Sequence, residues 1–417
     1  MDPLPAVLTS LKSPPQPDIL REAAERFGTP LYVHFDATVR ERCQDLKTAL
    51  DGLPTSLLYA LKANATPALL RIIADEGFGF DAVSPGELAL LRALGVDLSR
   101  VLYTTTSVSD DELEIAASSG ALLNIDDIER IDMFGKRHPG ADVCIRFNTG
   151  VGAGHHKHVV TGGKEAKFGV PMDQAEQVAE VAAKHGLRVV GIHQHAGSGV
   201  REPEMLWPAV ETLIETATLF PDLQFVNAGG GLSVPYHPDD TALDPARLRS
   251  GVAQPALDAL ANAGRDNVAI WFEPGRYLVA ESGVLVTQVH TLKTTADRTF
   301  AGTDSGFNQL LRPTLYDAYH ALANLSNPDG PLHTYDVVGN VCESGDLFAR
   351  QREVQELRRG DLLAVLDTGA YGVAMASTYN LRPLPAEVLV REDGQLELVR
   401  PRLSPDELAA AVVSGLG

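Results

Sequence analysis

The sequence predicts an α/β protein, a (β/α)8 TIM-like barrel joined to a second, mainly antiparallel β domain, and three observations carry that expectation. Short apolar or β-branched runs alternate with amphipathic stretches from residue 57 onward, the pattern of βα units around a parallel sheet. Eight such units occupy roughly 220 residues, the usual scale of a closed barrel. After Arg276 the periodicity changes to strand-like segments separated by turns rich in Gly, Asp and Asn.

The eight runs are LLYALKAN (Leu57 to Asn64), GFDAVS from Gly79, VLYTTTS from Val101, ALLNIDD from Ala121, DVCIRFN from Asp142, VVGIHQH from Val189, FVNAGGG from Phe225 and AIWFEPG from Ala269. Between them stand helical patterns such as PALLRIIADEG, PGELALLRALG, DQAEQVAEVAAKHG and EMLWPAVETLIETATLF, several opening with Pro, Asp or Ser and closing with Gly, the ordinary start and stop signals. Beyond the barrel, GVLVTQVHTL, LLAVLD, AEVLV and QLELV read as strands and PDELAAAVV as a terminal helix. TPLYVHF, from Thr29, precedes the barrel and is expected in the same sheet. The expected division is residues 38–281 for the barrel, with 1–37 and 282–417 forming the β domain.

Composition narrows the function classes. The 417 residues carry a formal net charge of -20, with 44% hydrophobic and 22% charged residues. Such an acidic surface repels phosphate backbones and anionic lipid, so neither nucleic acid nor a membrane is an expected partner. No apolar stretch approaches the ~18 residues of a membrane span, and the N-terminal segment lacks an export pattern, so a cytoplasmic location is expected. Cys43, Cys144 and Cys342 are too widely spaced for a zinc knuckle or redox pair.

Active sites of barrels assemble where strands end. The ends of these runs carry Lys62, Asp81, Arg146, Asn148, His195, the Gly229-Gly230-Gly231 turn and Glu273-Pro274-Gly275-Arg276. A lysine ending an apolar strand is expected to be desolvated, which frees its amine for a Schiff base; a snorkelling barrel lysine is the plainer alternative. Triple glycine lets backbone N–H groups approach a phosphate, although a tight turn explains it equally. Lysine, glycine cradle and isolated carboxylate together describe a site for pyridoxal 5'-phosphate, with the carboxylate keeping the pyridine nitrogen protonated. His195 is placed to stack on the ring. A histidine metal site built from His155, His156, His158, His193 and His195 is the weaker alternative, since carboxylate spacing to match is missing, and no metal is expected.

On these residues the chain resembles the fold type III pyridoxal-phosphate decarboxylases. The motifs are YALKAN, GFDAVSPGEL, TGGKEAKFGV, HQHAGSG, AGGGLSVPY and FEPGRYLVAESGVLVTQV, continued by DSGFNQLLRPTLYDAYH, CESGD and DTGAYGVAMASTYNLRPLPAEVLV. The resemblance implies a Schiff base at Lys62, with cofactor contacts from Asp81, His195, Ser198, Gly230, Gly231, Glu273, Gly275, Arg276 and Tyr371. It implies a β domain like the C-terminal domain of alanine racemase. It also implies a homodimer, in which Cys342 and Glu343 reach across the interface into the partner's barrel.

Loss of CO2 leaves a carbanion that a positioned acid must reprotonate, and Cys342 is the candidate, where an isolated cysteine would otherwise read as small core filling. Arg276, Arg312, Tyr316 and Tyr371 suit a distal carboxylate and Glu343 a distal ammonium. That pairing fits meso-2,6-diaminopimelate, whose decarboxylation gives L-lysine. A decarboxylase of another basic or carrier-bound amino acid, a racemase and a non-catalytic regulatory homologue are the alternatives. The chain departs from the family at Gly339-Asn340-Val341, where Gly-Pro-Leu is common, and at Asn148-Thr149, where Asn-Pro is common. The glycine placement from Thr149 to Gly163 would allow that segment to close over the site, and the sequence does not decide whether it does.

Overall fold

The structure, a computed structural model, describes residues 16–152, 163 and 166–414. It divides into two compact units, one of Arg42–Val234 with Thr241–Tyr277, the other of the chain through Glu41, Pro235–Asp240 and Leu278 onward.

The first unit is a closed barrel of eight parallel strands, Thr55–Ala60, Gly79–Ala82, Val101–Thr104, Leu122–Ile125, Asp142–Asn148, Arg188–His193, Phe225–Asn227 and Ala269–Phe272. Each pairs with the next in chain order, and the eighth returns to the first through Ile270, Trp271 and Phe272 opposite Thr55, Ser56 and Leu57. All eight expected runs are present. The first differs in its bounds, because the strand stops at Ala60 and Leu61–Ala63 form a tight 3-10 turn. There the Ala60 N–H leaves the ladder to bond Pro274 O at 3.2 Å, tying the first strand end to the eighth.

Helices such as Pro67–Asp75, Pro85–Ala93 and Ala175–His185 start where the sequence signals them. Proline opens the first two, its missing N–H costing nothing in a first turn. Ser84, Ser109 and Asp127 accept from the third residue of their helices, the amide hydrogen bond an N-cap supplies. Leu58, Leu102, Cys144, Val190 and Phe225 pack inside the barrel. Phe225 stacks on Trp271 with centroids 3.6 Å apart, and Gly191 lies under it, where a Cβ would come 2.0 Å from the ring.

In the second unit Leu31–Phe35 lies between Gly283–Thr294, antiparallel, and Ala386–Val390, parallel. The expected strands are there, with TPLYVHF among them. Thr299–Thr303, Leu332–Val338 and Leu347–Gln355 extend the same sheet. Their sequence signal is weak because charged residues such as Arg350, Arg352 and Glu353 interrupt the alternation on a largely solvated surface. Within the core, buried Glu387 is held by His34 at 2.9 Å and by Arg400 at 2.8 Å. The terminal helix Pro405–Ser414 is capped reciprocally by Ser404 and Glu407. No helix among the described residues is long and apolar enough to cross a membrane.

Candidate active site

The C-terminal ends of the barrel strands gather the charged groups. Lys62, on the turn after the first strand, places Nζ 3.2 Å from Asp81 Oδ2 on the second. Asp81 is buried, and its other oxygen accepts from Thr104 Oγ1 at 2.8 Å, which in turn accepts from Asn124 at 3.2 Å. Neighbouring strands thus brace one carboxylate. The expected desolvation of Lys62 is not what the fold provides: its side chain is 40% exposed. The strand ends two residues early, so the lysine stands over the barrel mouth on a turn rather than within the apolar strand. An ion pair to a buried carboxylate fixes its amine instead.

On the neighbouring strand end stands Glu273, buried after the eighth strand. Oε2 lies 3.1 Å from His193 Nε2, and Oε1 accepts from Asn227 Nδ2 at 2.8 Å. Asn227 also accepts the Gly229 N–H through Oδ1 at 2.8 Å, while the Glu273 N–H donates to Gly229 O at 2.8 Å. One side chain therefore fastens the carboxylate to the glycine turn. Gly229 and Gly231 have φ of 71° and 99°, a region that favours glycine. At Gly230 a Cβ would sit 2.0 Å from Glu273 O. No other residue permits this approach, and the glycines bring the turn's backbone against the strand ends that carry Glu273 and His195.

The remaining barrel candidates surround that turn. The Gly230 N–H donates to His195 Nδ1 at 3.2 Å, so that nitrogen carries a lone pair and Nε2 the proton of the neutral ring. Ser198 Oγ accepts from Arg276 Nη2 at 3.0 Å. Gly275 passes between Ala60 and Ala63, 3.2 Å from each methyl for an added Cβ.

Electrostatics separate the two carboxylates. Burial, the largest influence on Asp81, and then repulsion by Glu273 push its pKa up against Lys62, the Thr104 hydrogen bond and His193. For Glu273 burial is again the largest influence and opposes ionisation, but His193, Lys62 and His195 outweigh it and bring the carboxyl down to about 2. The two shifts run in opposite directions, so Glu273 is the stronger acid of the pair and Asp81 the one that takes up a proton first. Burial first, then Lys62 and Arg146, holds His195 well below the ordinary histidine range, so its ring is neutral at pH 7. A buried anion facing a neutral imidazole and a glycine cradle fits a protonated pyridine carrying a phosphate.

The β unit presents its candidates separately. Arg312 is buried, its guanidinium 4.3 Å over the Tyr236 ring, and Nη1 donates to His320 Nε2 at 2.8 Å. His320 Nδ1 in turn donates to Leu366 O at 2.7 Å, which fixes the ring as a support for the arginine. Tyr316 ends the same short helix, Arg312–Tyr316. Cys342 and Glu343 are exposed on a loop clamped by buried Asp346, which accepts from the Val341 and Phe307 N–H groups at 2.7 and 2.6 Å. Cys342 is thus not core filling, in contrast to buried Cys43 and Cys144. Asn340, where the family commonly has proline, uses its amide on Asp304 O at 2.8 Å. Tyr371 sits at φ 56°, an uncommon position for a bulky residue that costs on the order of 1 kcal/mol and is held by its surroundings.

Asn148 bonds Gly163 O and the Gly150 N–H, both at 3.0 Å. His155, His156, His158 and most of the Thr149–Gly163 segment lie outside the described residues, so neither the metal alternative built on those histidines nor loop closure is placed. Sequence reading passed over Asn227 and the contact of His193 with Glu273. A polar residue ending a buried strand directly before three glycines was the available signal for Asn227.

Residues 36–280 match the family model described as pyridoxal-dependent decarboxylase, pyridoxal binding domain. The diaminopimelate decarboxylase of Methanothermobacter thermautotrophicus is 43% identical over 390 residues, covering 91% of this chain and 91% of that protein. That of Escherichia coli K12 is 35% identical, covering 94% and 96%. The crystal structure of diaminopimelate decarboxylase from Helicobacter pylori complexed with L-lysine superposes with a TM-score of 0.87 at 32% identity, over 95% of this chain and all of that one.

Proposed function

The chain belongs to the pyridoxal-dependent decarboxylases, and from that premise we propose that it is a carboxy-lyase acting on meso-2,6-diaminopimelate and forming L-lysine and CO2, the closing step of lysine biosynthesis. The observation that carries the reading is buried Glu273, hydrogen-bonded by His193 and Asn227 at the strand end next to that of Lys62 and beside a glycine turn that admits no side chain. Relatives across most of the chain bear the substrate's name.

Pyridoxal 5'-phosphate, when bound, takes up the electron pair that departing CO2 leaves at the α-carbon. Lys62 would hold it covalently through Nζ, and Asp81 beside that amine is the local proton acceptor. Glu273 keeps a proton on the pyridine nitrogen. Gly230, Gly231, Gly275, Ser198 and Arg276, with Tyr371, would bind the phosphate, and the neutral ring of His195 would cover the cofactor face. Cys342 Sγ would return a proton to the α-carbon. Arg312, preorganised by Tyr236 and His320, would take the distal carboxylate with Arg276, Tyr316 and Tyr371, while Glu343 pairs with the distal ammonium.

The finer organisation belongs to the same reading. Residues 38–281 form the cofactor-binding barrel and 1–37 with 282–417 the β domain. The working unit is a homodimer in the cytoplasm, each subunit lending Cys342 and Glu343 to the other's barrel. The exposure of both residues in the single chain supports this. The deciding experiment measures the absorbance of the bound cofactor in purified protein and then CO2 and lysine after adding meso-diaminopimelate, with ornithine and arginine as controls. Lysine formed from diaminopimelate and lost in Lys62→Ala is expected. Decarboxylation of ornithine or arginine in preference would move the substrate, and absence of a cofactor band would overturn the reading.

A further inference from the structure

His193 is the inner histidine of HQH. It is the last residue of the sixth strand, 1% exposed, and its Nε2 meets Glu273 Oε2 at 3.1 Å. Its other nitrogen is buried and has no hydrogen-bond partner among the described residues. An imidazole held in a barrel for a single polar contact is a poor choice for packing, because an apolar side chain would fill the volume without burying a polar atom. The contact itself is the reason to retain it. Glu273 has two oxygens and no solvent, and a buried carboxylate needs a donor on each. Asn227 serves Oε1 and His193 serves Oε2.

We propose that His193 is a positioning residue for the decarboxylation, fixing the Glu273 carboxylate through Oε2 in the orientation from which it would hold the pyridine nitrogen of the cofactor. The inference rests on the cofactor reading above and deepens it. The groups facing Glu273 come from four other strand ends: Lys62 beyond the first, Asp81 on the second, Cys144 and Arg146 on the fifth, and His195 beyond the sixth. Of these, Asp81 repels the carboxylate, the Cys144 thiol is pushed up by it, and Arg146 and Lys62 attract it, while His193 meets it in a direct contact at 3.1 Å.

Removing that donor destabilises the charged carboxylate more than the protonated one. The pKa of Glu273 therefore rises, and the protein must lose its hold on the protonated pyridine at a higher pH than before. The test uses the holoenzyme and two variants. His193→Leu deletes the donor, whereas His193→Gln offers an amide N–H near the same place. Two quantities are read at pH 7.5: kcat, and the dissociation constant for pyridoxal 5'-phosphate from the quenching of intrinsic fluorescence.

For His193→Leu we expect kcat to fall about tenfold or more at pH 7.5 with KM within about twofold, and the cofactor dissociation constant to rise about threefold or more. His193→Gln should recover most of the rate and of the cofactor affinity. In a Glu273→Gln background, where no carboxylate remains to be held, His193→Leu should change the cofactor dissociation constant less than about twofold. An unchanged cofactor dissociation constant in folded His193→Leu, or an undiminished effect in the Glu273→Gln background, would overturn the proposal. If His193→Leu fails to fold, His193→Met, alone and with Glu273→Gln, answers the same question, a weakened cofactor affinity confined to the Glu273 background supporting it and an unchanged one opposing it. Failure of the wild-type protein to bind the cofactor would instead refute the underlying functional reading.

Discussion

Asn227→Ala cuts the link between the carboxylate and the glycine turn, and its cost can be worked from two bonds. The hydrogen bond to ionised Glu273 Oε1 at 2.8 Å is of the charged kind, worth about 1.5–3 kcal/mol, and the buried Gly229 N–H left without its acceptor adds about 1–3 kcal/mol. The sum, about 2.5–6 kcal/mol, corresponds to a fall in melting temperature of roughly 10 °C for a unit of this size. Thermal unfolding followed by circular dichroism measures the loss, and fluorescence titration measures the accompanying decline in affinity for pyridoxal 5'-phosphate. Asn227→Asp separates the two bonds. It keeps an acceptor for Gly229 but sets a second carboxylate against Glu273, and the pair can ionise fully only at great cost. Its folded pKa is raised above the unfolded one, so its stability is intact at low pH and is lost as pH rises from about 4 upward. A melting temperature for Asn227→Ala within about 2 °C of wild type, or a deficit in Asn227→Asp that shrinks as pH rises, would refute the bracket.

Gly230→Ala forces a Cβ to 2.0 Å from Glu273 O, a backbone atom that cannot swing away, and should cost at least about tenfold in cofactor affinity while circular dichroism still shows a barrel; equal affinity would mean the turn yields. Arg312→Lys loses both the plane over Tyr236 and the bond to His320, and is expected to raise KM for diaminopimelate about tenfold or more with a smaller change in kcat. Mixing inactive Lys62→Ala with inactive Cys342→Ala subunits tests the shared sites: exchange should restore about a quarter of wild-type activity, because half of the dimers are mixed and each holds one intact site. Activity that stays at zero after proven exchange would place Cys342 with its own barrel.

Much of the fold was legible because it rests on local periodicity. Each barrel run and its following helix announce themselves through burial patterns of two different periods, and Pro, Ser, Asp and Gly mark the joins. Strands 299–303, 332–338 and 347–355 did not, since a mostly solvated sheet surface tolerates Arg350, Arg352 and Glu353 and erases the alternation. The site divides in the same way. Lys62, Asp81, the glycines and Glu273 show in sequence because their chemistry is tied to motif and strand end, whereas the environment of Lys62 was misjudged by the two residues at which the strand gives way to a turn.

Sequence alone determined which groups are available and on which strands they ride: a lysine, two carboxylates, a pair of histidines and a glycine turn in barrel order. Only the tertiary structure decided which carboxylate is the stronger acid. Asp81, within the second strand, and Glu273, just past the eighth, are both buried at strand ends, so nothing local distinguishes them. Their pKa values part because strand closure brings His193 and Asn227 onto Glu273 and leaves Asp81 with Thr104 and an exposed lysine. Charge in a low-dielectric interior is set by neighbours within a few ångströms, and those neighbours lie 46 and 80 residues away along the chain.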